Sequence, residues 1–326
     1  MRAVIAPEPG GPEALEIVDR PIPEPAEGEV LIGVEAVGLN RADILQRQGL
    51  YPPPPGISDV LGLECSGTIA AIGPGVSEFS DFAVGDRVCA LLAGGAYADF
   101  AVVPAGQVTP IPADLSMVEA AAFMETACTV WSNVVMVGGL APGDTLLVHG
   151  GTSGIGTTAI QIAKALVTRV VTTVGSEAKA QAARELGADV VINYRDEDFA
   201  EAMAAAAIQA DVILDIMGAK YLASNVSTLA PNGRLVIIGL QGGIQAELNL
   251  AALLGKRASV AATSLRARPL DEKAEIVAET IRHVTPMIVD GSVRPVVHAT
   301  YDLTEVADAH RMLESSTHIG KIVLTL

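Results

Sequence analysis

The chain has 326 residues, half of them hydrophobic and 18% charged, and carries a net charge of −17. That length allows two domains and that composition supplies a large core. The acidic balance argues against nucleic acid or an anionic membrane as partner, so an anionic ligand must be held by local donors and not by the overall field. The opening MRAVIAPEPG lacks the basic and apolar regions of a signal peptide, and no apolar run reaches membrane-spanning length. Cys65, Cys89 and Cys128 are scattered and odd in number. They read as small buried thiols of a reducing compartment, which points to the cytoplasm.

Residues 1–120 read as short strands between Gly/Pro turns. Val30–Val34, Ser66–Ile72, Arg87–Leu91 and Tyr97–Val103 are β-branched or alternating runs, punctuated by Glu27-Gly28, Gly73-Pro74-Gly75 and Val84-Gly85-Asp86. This half is expected to be mostly β, a partly open barrel. LYPPPPG at 50–56 is too rich in proline for a helix or a central strand and is expected to be a stiff loop.

From Ser116 the pattern changes. Met117–Val137 is alanine-rich and helix-compatible, with Ser116 and Glu119 spaced as a capping box. Strands expected at Thr145–Val148, Arg169–Val174, Val190–Ile192, Val212–Asp215 and Arg234–Ile238 then alternate with helices at 157–166, 177–186, 197–207 and 219–229. Gly187 is a natural C′ residue for the second of these helices. Such alternation predicts a parallel, doubly wound α/β sheet over about 121–265, with Ser259–Ala262 as a sixth strand. Leu270–Val289 reads as a helix and Lys321–Leu326 as a closing strand. The tail, about 266–326, is expected to return to the first domain.

The chemistry centres on TLLVHGGTSGIGTTAIQIAKAL at 145–166: an apolar run, a glycine-rich turn, then Ile160, Ala163 and Leu166 at helical spacing. This is the opening of a dinucleotide-binding βαβ unit, in which glycines bring backbone close to a pyrophosphate and a helix N-terminus supplies N–H donors. The bland alternative is a plain strand–turn–helix corner. Gly151, Gly154 and Gly156 fill the first, fourth and sixth places of G-x-G-x-x-G, and Ser153 stands in the third, where it is small and able to donate to phosphate. A P-loop needs lysine after Gly156, and Thr157 is there instead. A nucleophile elbow needs glycine two places after Ser153, and Ile155 is there instead.

NAD-binding units place a carboxylate at the tip of the second strand. Here Gly175-Ser176 follows Val174, and Ser176 with Lys179 supplies a donor and a cation suited to a 2′-phosphate, which favours NADPH. The alternative makes Ser176 a helix cap and Lys179 a solvated side chain. None of the five histidines lies at H-x-x-x-H spacing or beside a cysteine, and no C-x-x-C occurs, so no metal site is expected. His149 reads as a hydrogen-bonded structural histidine at the end of a buried strand.

These residues carry a family likeness over essentially the whole chain. VGLNRADILQRQGLYPPPPG at 37–56, LGLECSG at 61–67, VGDRVCALLAGGAYADF at 84–100, HGGTSGIGTTAIQIAK at 149–164, GSEAK at 175–179, INYRDEDF at 192–199 and IGKIVL at 319–324 resemble the zinc-free quinone oxidoreductases of the medium-chain dehydrogenase/reductase superfamily, the zeta-crystallin-like proteins among them. The resemblance implies a GroES-like catalytic domain, residues 1–120 completed by about 266–326, and a Rossmann domain, 121–265, with NADPH in the cleft between them. Zinc-dependent relatives have a cysteine where this chain has Asn40, and Gly-His-Glu where it has Gly62-Leu63-Glu64. The resemblance carries Asn40, Tyr51 and Thr129 to the nicotinamide and substrate end and Ser153, Gly154, Ile155 and Gly156 to the pyrophosphate. It carries Gly175, Ser176, Lys179 and Tyr194 to the adenosine phosphate, and Met217, Gly239, Leu240, Gly242 and Lys321 to the nicotinamide side. Val167-Thr168 departs from the Gly-Ala usual before the second strand and removes a flexible helix end.

Such a protein passes a hydride from NADPH to a quinone without a metal. Asn40 and Tyr51 are able to donate to the acceptor oxygen as charge gathers there. For Tyr51 the plainer expectation is a ring packed on the proline loop. No Ser–Tyr–Lys or His–Asp relay is visible, so water is left to protonate the product. Two other functions compete: an NADPH-dependent enone or enoyl-thioester reductase on the same scaffold, and an NADPH-binding redox sensor with little turnover. The partners expected are a small quinone or enone and a second copy of the chain, since Ser259–Ala262 beside Leu248–Leu254 would leave a bare sheet edge in a monomer.

Overall fold

The computed structural model describes residues 1–78 and 81–326. The chain divides into two compact units, one of 1–128, 265–289 and 295–326, the other of 129–264 and 290–294.

The first unit holds a two-stranded ribbon, β1 (Arg2–Ile5) with β2 (Glu16–Asp19), and a seven-stranded sheet. The sheet runs β14 (Val297–Asp302), β15 (Lys321–Thr325), β3 (Glu29–Gly38), β4 (Glu64–Ile72), β5 (Arg87–Leu91), β7 (Val108–Pro110), with β6 (Phe100–Pro104) also on β3. The ten-residue β3 is its hub. Glu29–Gly33 pairs with β6 and Ala36–Gly38 with β15, while β4 follows the other edge. Val30, Ile32 and Val34 alternate toward a core with Ile69, Val88 and Tyr97. Four helices belong here: α1 (Arg41–Arg47), α2 (Met117–Ala121), α9 (Leu270–Val289) and α10 (Val306–Ser315). The proline loop at 50–56 forms no helix or strand.

The second unit carries a six-stranded, wholly parallel sheet in the order β10 (Val190–Asn193), β9 (Arg169–Val174), β8 (Thr145–His149), β11 (Ala210–Asp215), β12 (Leu229–Ile237), β13 (Ser259–Ala262). Numbered within the unit this is 3-2-1-4-5-6, the doubly wound order whose switch point lies between the first and fourth strands, here β8 and β11. The connecting helices are α4 (Gly154–Ala165), α5 (Glu177–Glu185), α6 (Phe199–Ala205), α7 (Leu222–Thr228) and α8 (Leu250–Lys256). α3 (Met124–Val130) carries the chain from one unit into the other.

Several expectations need correction. The run 117–137 is not one helix. It breaks after α2, resumes as α3, and Trp131–Val137 winds as a π-helix, where Asn133 turns its side-chain amide back onto Thr129 O at 2.8 Å. The capping box at Ser116 and Glu119 is present. The strand expected at 97–103 starts only at Phe100, because Ala98 makes a single bridge to Ala3 and Tyr97 turns its ring into the core. β12 begins five residues early, its pairing shifted around the Pro231–Gly233 turn, with Asn232 at φ 64°. Helices α1, α8 and α10 and strand β14 were not anticipated. For α10 the signal was available: Asp302 and Glu305 form a capping box on the 3-10 turn Leu303–Glu305 that leads into it, and Val306, Ala309 and His310 recur at helical spacing on its buried face.

Candidate functional site

Six parallel strands end at one edge of the second unit, and the residues of this unit assigned to a dinucleotide lie just beyond five of them. After β8, Gly150 turns at φ 75° and Ser153 caps α4, accepting from Gly156 N at 3.0 Å. Ser153 also donates to Gly150 O at 2.8 Å, so its hydroxyl hydrogen is used within the turn and is not offered to a phosphate. The free donors at this helix start are therefore the backbone N–H groups of Gly154 and Ile155. A Cβ on Gly156 would strike Gly150 O and Gly151, so only glycine lets helix and strand approach this closely. His149 stiffens the turn from below. It is buried, with Nε2 2.7 Å from Asn225 Oδ1 and Nδ1 3.1 Å from Thr173 Oγ1, which also accepts from Gly150 N. Burial pushes its pKa down to about 4, which keeps the imidazole neutral at neutral pH.

After β9, Ser176 caps α5, accepting from Lys179 N at 3.3 Å, so the helix-cap reading of Ser176 holds, with one O–H still to give. Gly175 lies so close to the Tyr194 hydroxyl, beyond β10, that a side chain there would collide with it. Burial and the neighbouring Arg195 both push the Lys179 pKa down. Arg195 was missed at the sequence level, although a basic residue beside Tyr194 in INYRDEDF was the available signal. After β11, Asp215 receives Met217 N at 2.7 Å and Gly218 N at 2.9 Å, and Gly242 N donates to Met217 O at 2.7 Å. Met217 and the Gly239–Gly243 loop are thereby tied into one rim.

In the first unit, Asn40 is buried in an ionic cluster. Lys321 Nζ donates to Leu39 O at 2.7 Å, Asn40 Oδ1 at 2.6 Å and Glu64 Oε1 at 2.6 Å, which occupies all three of its hydrogens. Asn40 Nδ2 donates to Glu64 Oε1 at 2.9 Å and to Gly38 O at 3.3 Å, while Glu64 Oε2 accepts from Glu125 N at 2.9 Å. A Cβ on Gly38 would overlap Glu64 Oε1 and Ala121 O. Neither Asn40 as hydride-acceptor donor nor Lys321 as cofactor contact is favoured by this arrangement, since their hydrogens already have acceptors inside the unit. Asn40 N also donates to Asp43 Oδ2 at 2.7 Å, and the Tyr97 hydroxyl reaches the same oxygen at 3.1 Å. Burial pushes Asp43 up to about 6.

Tyr51 follows α1, and its ring lies under Arg266, whose guanidinium carbon is 5.1 Å from the ring centre. Arg266 is itself fixed by Ala93 O at 2.6 Å, Tyr51 O at 3.1 Å and Gln46 Oε1 at 2.6 Å. The Tyr51 ring thus packs on an arginine. Arg266, in the segment before α9, had no sequence signal. Thr129 belongs to the second unit, and its carbonyl receives Asn133 Nδ2.

Comparison with known proteins identifies the class. The alcohol dehydrogenase GroES-like domain family matches residues 26–113 and the zinc-binding dehydrogenase family matches 186–324. The chain is 31% identical to the quinone oxidoreductase of Rattus norvegicus, over 100% of this chain and 98% of that protein. It superposes on the Escherichia coli quinone oxidoreductase complexed with NADPH with a TM-score of 0.89 at 31% identity, covering 100% of this chain and 99% of that one. It is also 33% identical, over 98% of its length, to a phenolphthiocerol/phthiocerol polyketide synthase of Mycobacterium tuberculosis, of whose length it spans 14%. The chain belongs to the quinone oxidoreductase-like, zinc-free family of medium-chain dehydrogenases/reductases.

Proposed function

We propose that this protein reduces a quinone with NADPH and needs no metal for it. The observation that carries the cofactor preference is the pairing of Lys179 with Arg195 beside Ser176, at strand tips where β9 ends without a carboxylate. Two cations and a hydroxyl suit a 2′-phosphate, and an acid suited to a 2′-hydroxyl is missing. The backbone donors of Gly154 and Ile155 take the pyrophosphate, and the close backbone approach that Gly156 permits leaves room for it. Met217, Gly239, Leu240 and Gly242 form the rim on the nicotinamide side. When bound, the cofactor supplies a hydride from nicotinamide C4.

The metal-free reading is supported by the cluster at Asn40. The oxygens of Glu64 and Asn40 already hold an ammonium, so Lys321 supplies there the positive charge that a metal would bring. Tyr51 is given the task of donating to the acceptor oxygen as charge develops, its ring held by Arg266 so that little freedom is lost on binding. Thr129 is kept as a second polar group at the reacting end. A second reading, reduction of an enone or enoyl thioester by the same hydride, is favoured by the likeness to one stretch of the polyketide synthase.

The test is a matrix of initial rates, NADPH and NADH against quinones, 2-alkenals and enoyl thioesters. A charge-assisted contact is worth about 1.5–3 kcal/mol. Lys179→Ala and Arg195→Ala should each raise the NADPH KM about tenfold or more and leave NADH nearly unchanged. Equal KM values for both cofactors in the unmutated protein would refute the NADPH assignment. Turnover of thioesters with none of quinones would replace the first reading by the second, and tight NADPH binding with no turnover would replace both.

A further inference from the structure

The first unit contains a cavity that the nicotinamide chemistry does not use. It has a volume of about 490 Å³ and lies between β6, the 56–60 loop, the turn at 92–95 and the first turn of α9. Its apolar walls include Ile57, Val60, Leu92, Phe100 and Leu270. Arg20, Glu29, Asp59 and Gln107 also line it, and its buried charged side chain is Lys273, only 3% exposed. No carboxylate or carbonyl among the described residues pairs with the Lys273 ammonium, and burial together with the nearby Arg266 cation pushes its pKa down. The other charges at the cavity are already engaged. Asp59 pairs with Arg20 at 2.8 Å and Glu29 Oε2 receives Ala26 N at 3.0 Å. Arg266, which does not line the cavity, spends its donors on Ala93 O, Tyr51 O and Gln46.

A buried cation without a counter-charge is costly, and chains normally avoid it by pairing or by exposure. Here no carboxylate pairs with it, and the cation opens onto a hollow of the size that holds small molecules, roughly 300–1,000 Å³. We infer that this cavity is a binding site for a small apolar molecule bearing one carboxylate, whose head pairs with Lys273 and whose hydrocarbon body lies against Ile57, Leu92 and Phe100. The carboxylate supplies the missing counter-charge through a charge-assisted hydrogen bond, and the apolar body displaces water from the walls. Neutral or cationic analogues of the same shape lack the first contribution, so the site discriminates by charge. The assignment is independent of the nicotinamide reading, because no residue of that reading lines the cavity.

The experiment is isothermal titration of the full chain with octanoate, octan-1-ol and octylammonium. Octanoate should bind at least tenfold more tightly than octan-1-ol, and octylammonium should not bind measurably. Lys273→Gln should weaken octanoate at least tenfold and leave octan-1-ol unchanged, while Lys273→Arg should keep octanoate within about threefold. Ile57→Glu, on the half-exposed wall, gives an independent variant if Lys273→Gln fails to fold, and should also weaken octanoate tenfold. No binding of octanoate, equal binding of octanoate and octan-1-ol, or octanoate binding that survives both Lys273→Gln and Ile57→Glu would each overturn the assignment.

Discussion

Replacing Lys321 by methionine tests whether the Asn40 cluster is a structural ion pair or a cofactor contact. Glu64 is fully buried and Lys321 nearly so. Lys321→Met keeps the length of the side chain and removes its charge, leaving the Glu64 carboxylate buried with Asn40 Nδ2 and Glu125 N as its donors. Breaking a buried pair by removing one partner costs about 3–5 kcal/mol. The double variant Lys321→Met/Glu64→Gln should recover much of that. The introduced glutamine can accept from Glu125 N with its oxygen, and once the Asn40 amide turns over, Asn40 Oδ1 can accept from the glutamine Nε2 where Nδ2 now meets Glu64 Oε1. A coupling of at least about 2 kcal/mol between the two sites is therefore expected, with the double variant no less stable than either single one. The assay is urea unfolding followed by far-ultraviolet circular dichroism, because the one tryptophan, Trp131, belongs to the other unit and reports on that unit. NADPH affinity, measured on the folded fraction, should stay within about twofold, since a loss of about 0.4 kcal/mol or less corresponds to roughly that factor. A Lys321→Met protein as stable as the parent but with NADPH affinity reduced tenfold would refute the reasoning and return Lys321 to the cofactor. Strictly additive losses in the double variant would refute the ion-pair account.

Four further outcomes are expected. Val167 is an exposed β-branched residue at φ 59°, where a side chain costs about 1–2 kcal/mol and the greater freedom of an unfolded glycine offsets part of that, so Val167→Gly should stabilise the second unit by roughly 0.5–1 kcal/mol in urea unfolding; an unchanged or lower midpoint would show that the strain is not there. Burial depresses His149 to about 4 and His310 to about 3, so between pH 4 and 6.5 the unfolded chain binds more protons and stability rises with pH. Asp43, raised to about 6, acts in the opposite sense between its unfolded value and 6, so Asp43→Asn should steepen the acid loss by up to about 1.4 kcal/mol per pH unit, and an unaltered slope would contradict the raised value. Tyr51→Phe keeps the ring on Arg266 and removes only the hydroxyl, and should lower quinone kcat/KM about tenfold, less than the loss of a full oxyanion donor, because a quinone is already a good hydride acceptor; full activity would remove Tyr51 from the reacting end. β13 ends the parallel sheet with its outer edge unpaired among the described residues, and Leu250 and Leu254 of the adjoining α8 are exposed, so light scattering at micromolar concentration should give a dimer mass, and a monomer mass would rule out pairing at this edge.

The turns we assign to a nucleotide were readable as local structure because they depend on local backbone rules. A glycine-rich turn after an apolar run, a serine cap and a strand tip without an acid are each fixed within a few residues, and the alternation of elements supplied the parallel sheet. Even there the reading assigned Ser153 a donor role that its own turn consumes, because the hydroxyl finds Gly150 O before any ligand arrives. Arg195 stands next to Tyr194 and was overlooked for the same local reason: adjacency in sequence says nothing of its approach to Lys179 across two strands.

The surroundings of Asn40 and Tyr51 were not readable in this way, and the reason is the distance along the chain over which their polar groups are satisfied. Lys321 finds its acceptors at Leu39, Asn40 and Glu64, between 257 and 282 residues away. Arg266 finds the Tyr51 ring and carbonyl more than 200 residues back. The sequence reveals that the positions at Asn40 and Leu63 depart from metal ligands, but a departure is only a loss, and what fills it is decided by which strand of the sheet lies beside β3. Once β15 pairs with Ala36–Gly38, its first residue is carried to the end of β3, where the Leu39 carbonyl and Asn40 Oδ1 accept from it. A cation is then the group that satisfies two neutral oxygens and the Glu64 carboxylate together. The pairing of β15 with β3 is thus what engages the Asn40 side chain on both sides, as donor to Glu64 and acceptor from Lys321, and it leaves Tyr51, positioned by Arg266, as the residue we propose for the polar work of the reacting end.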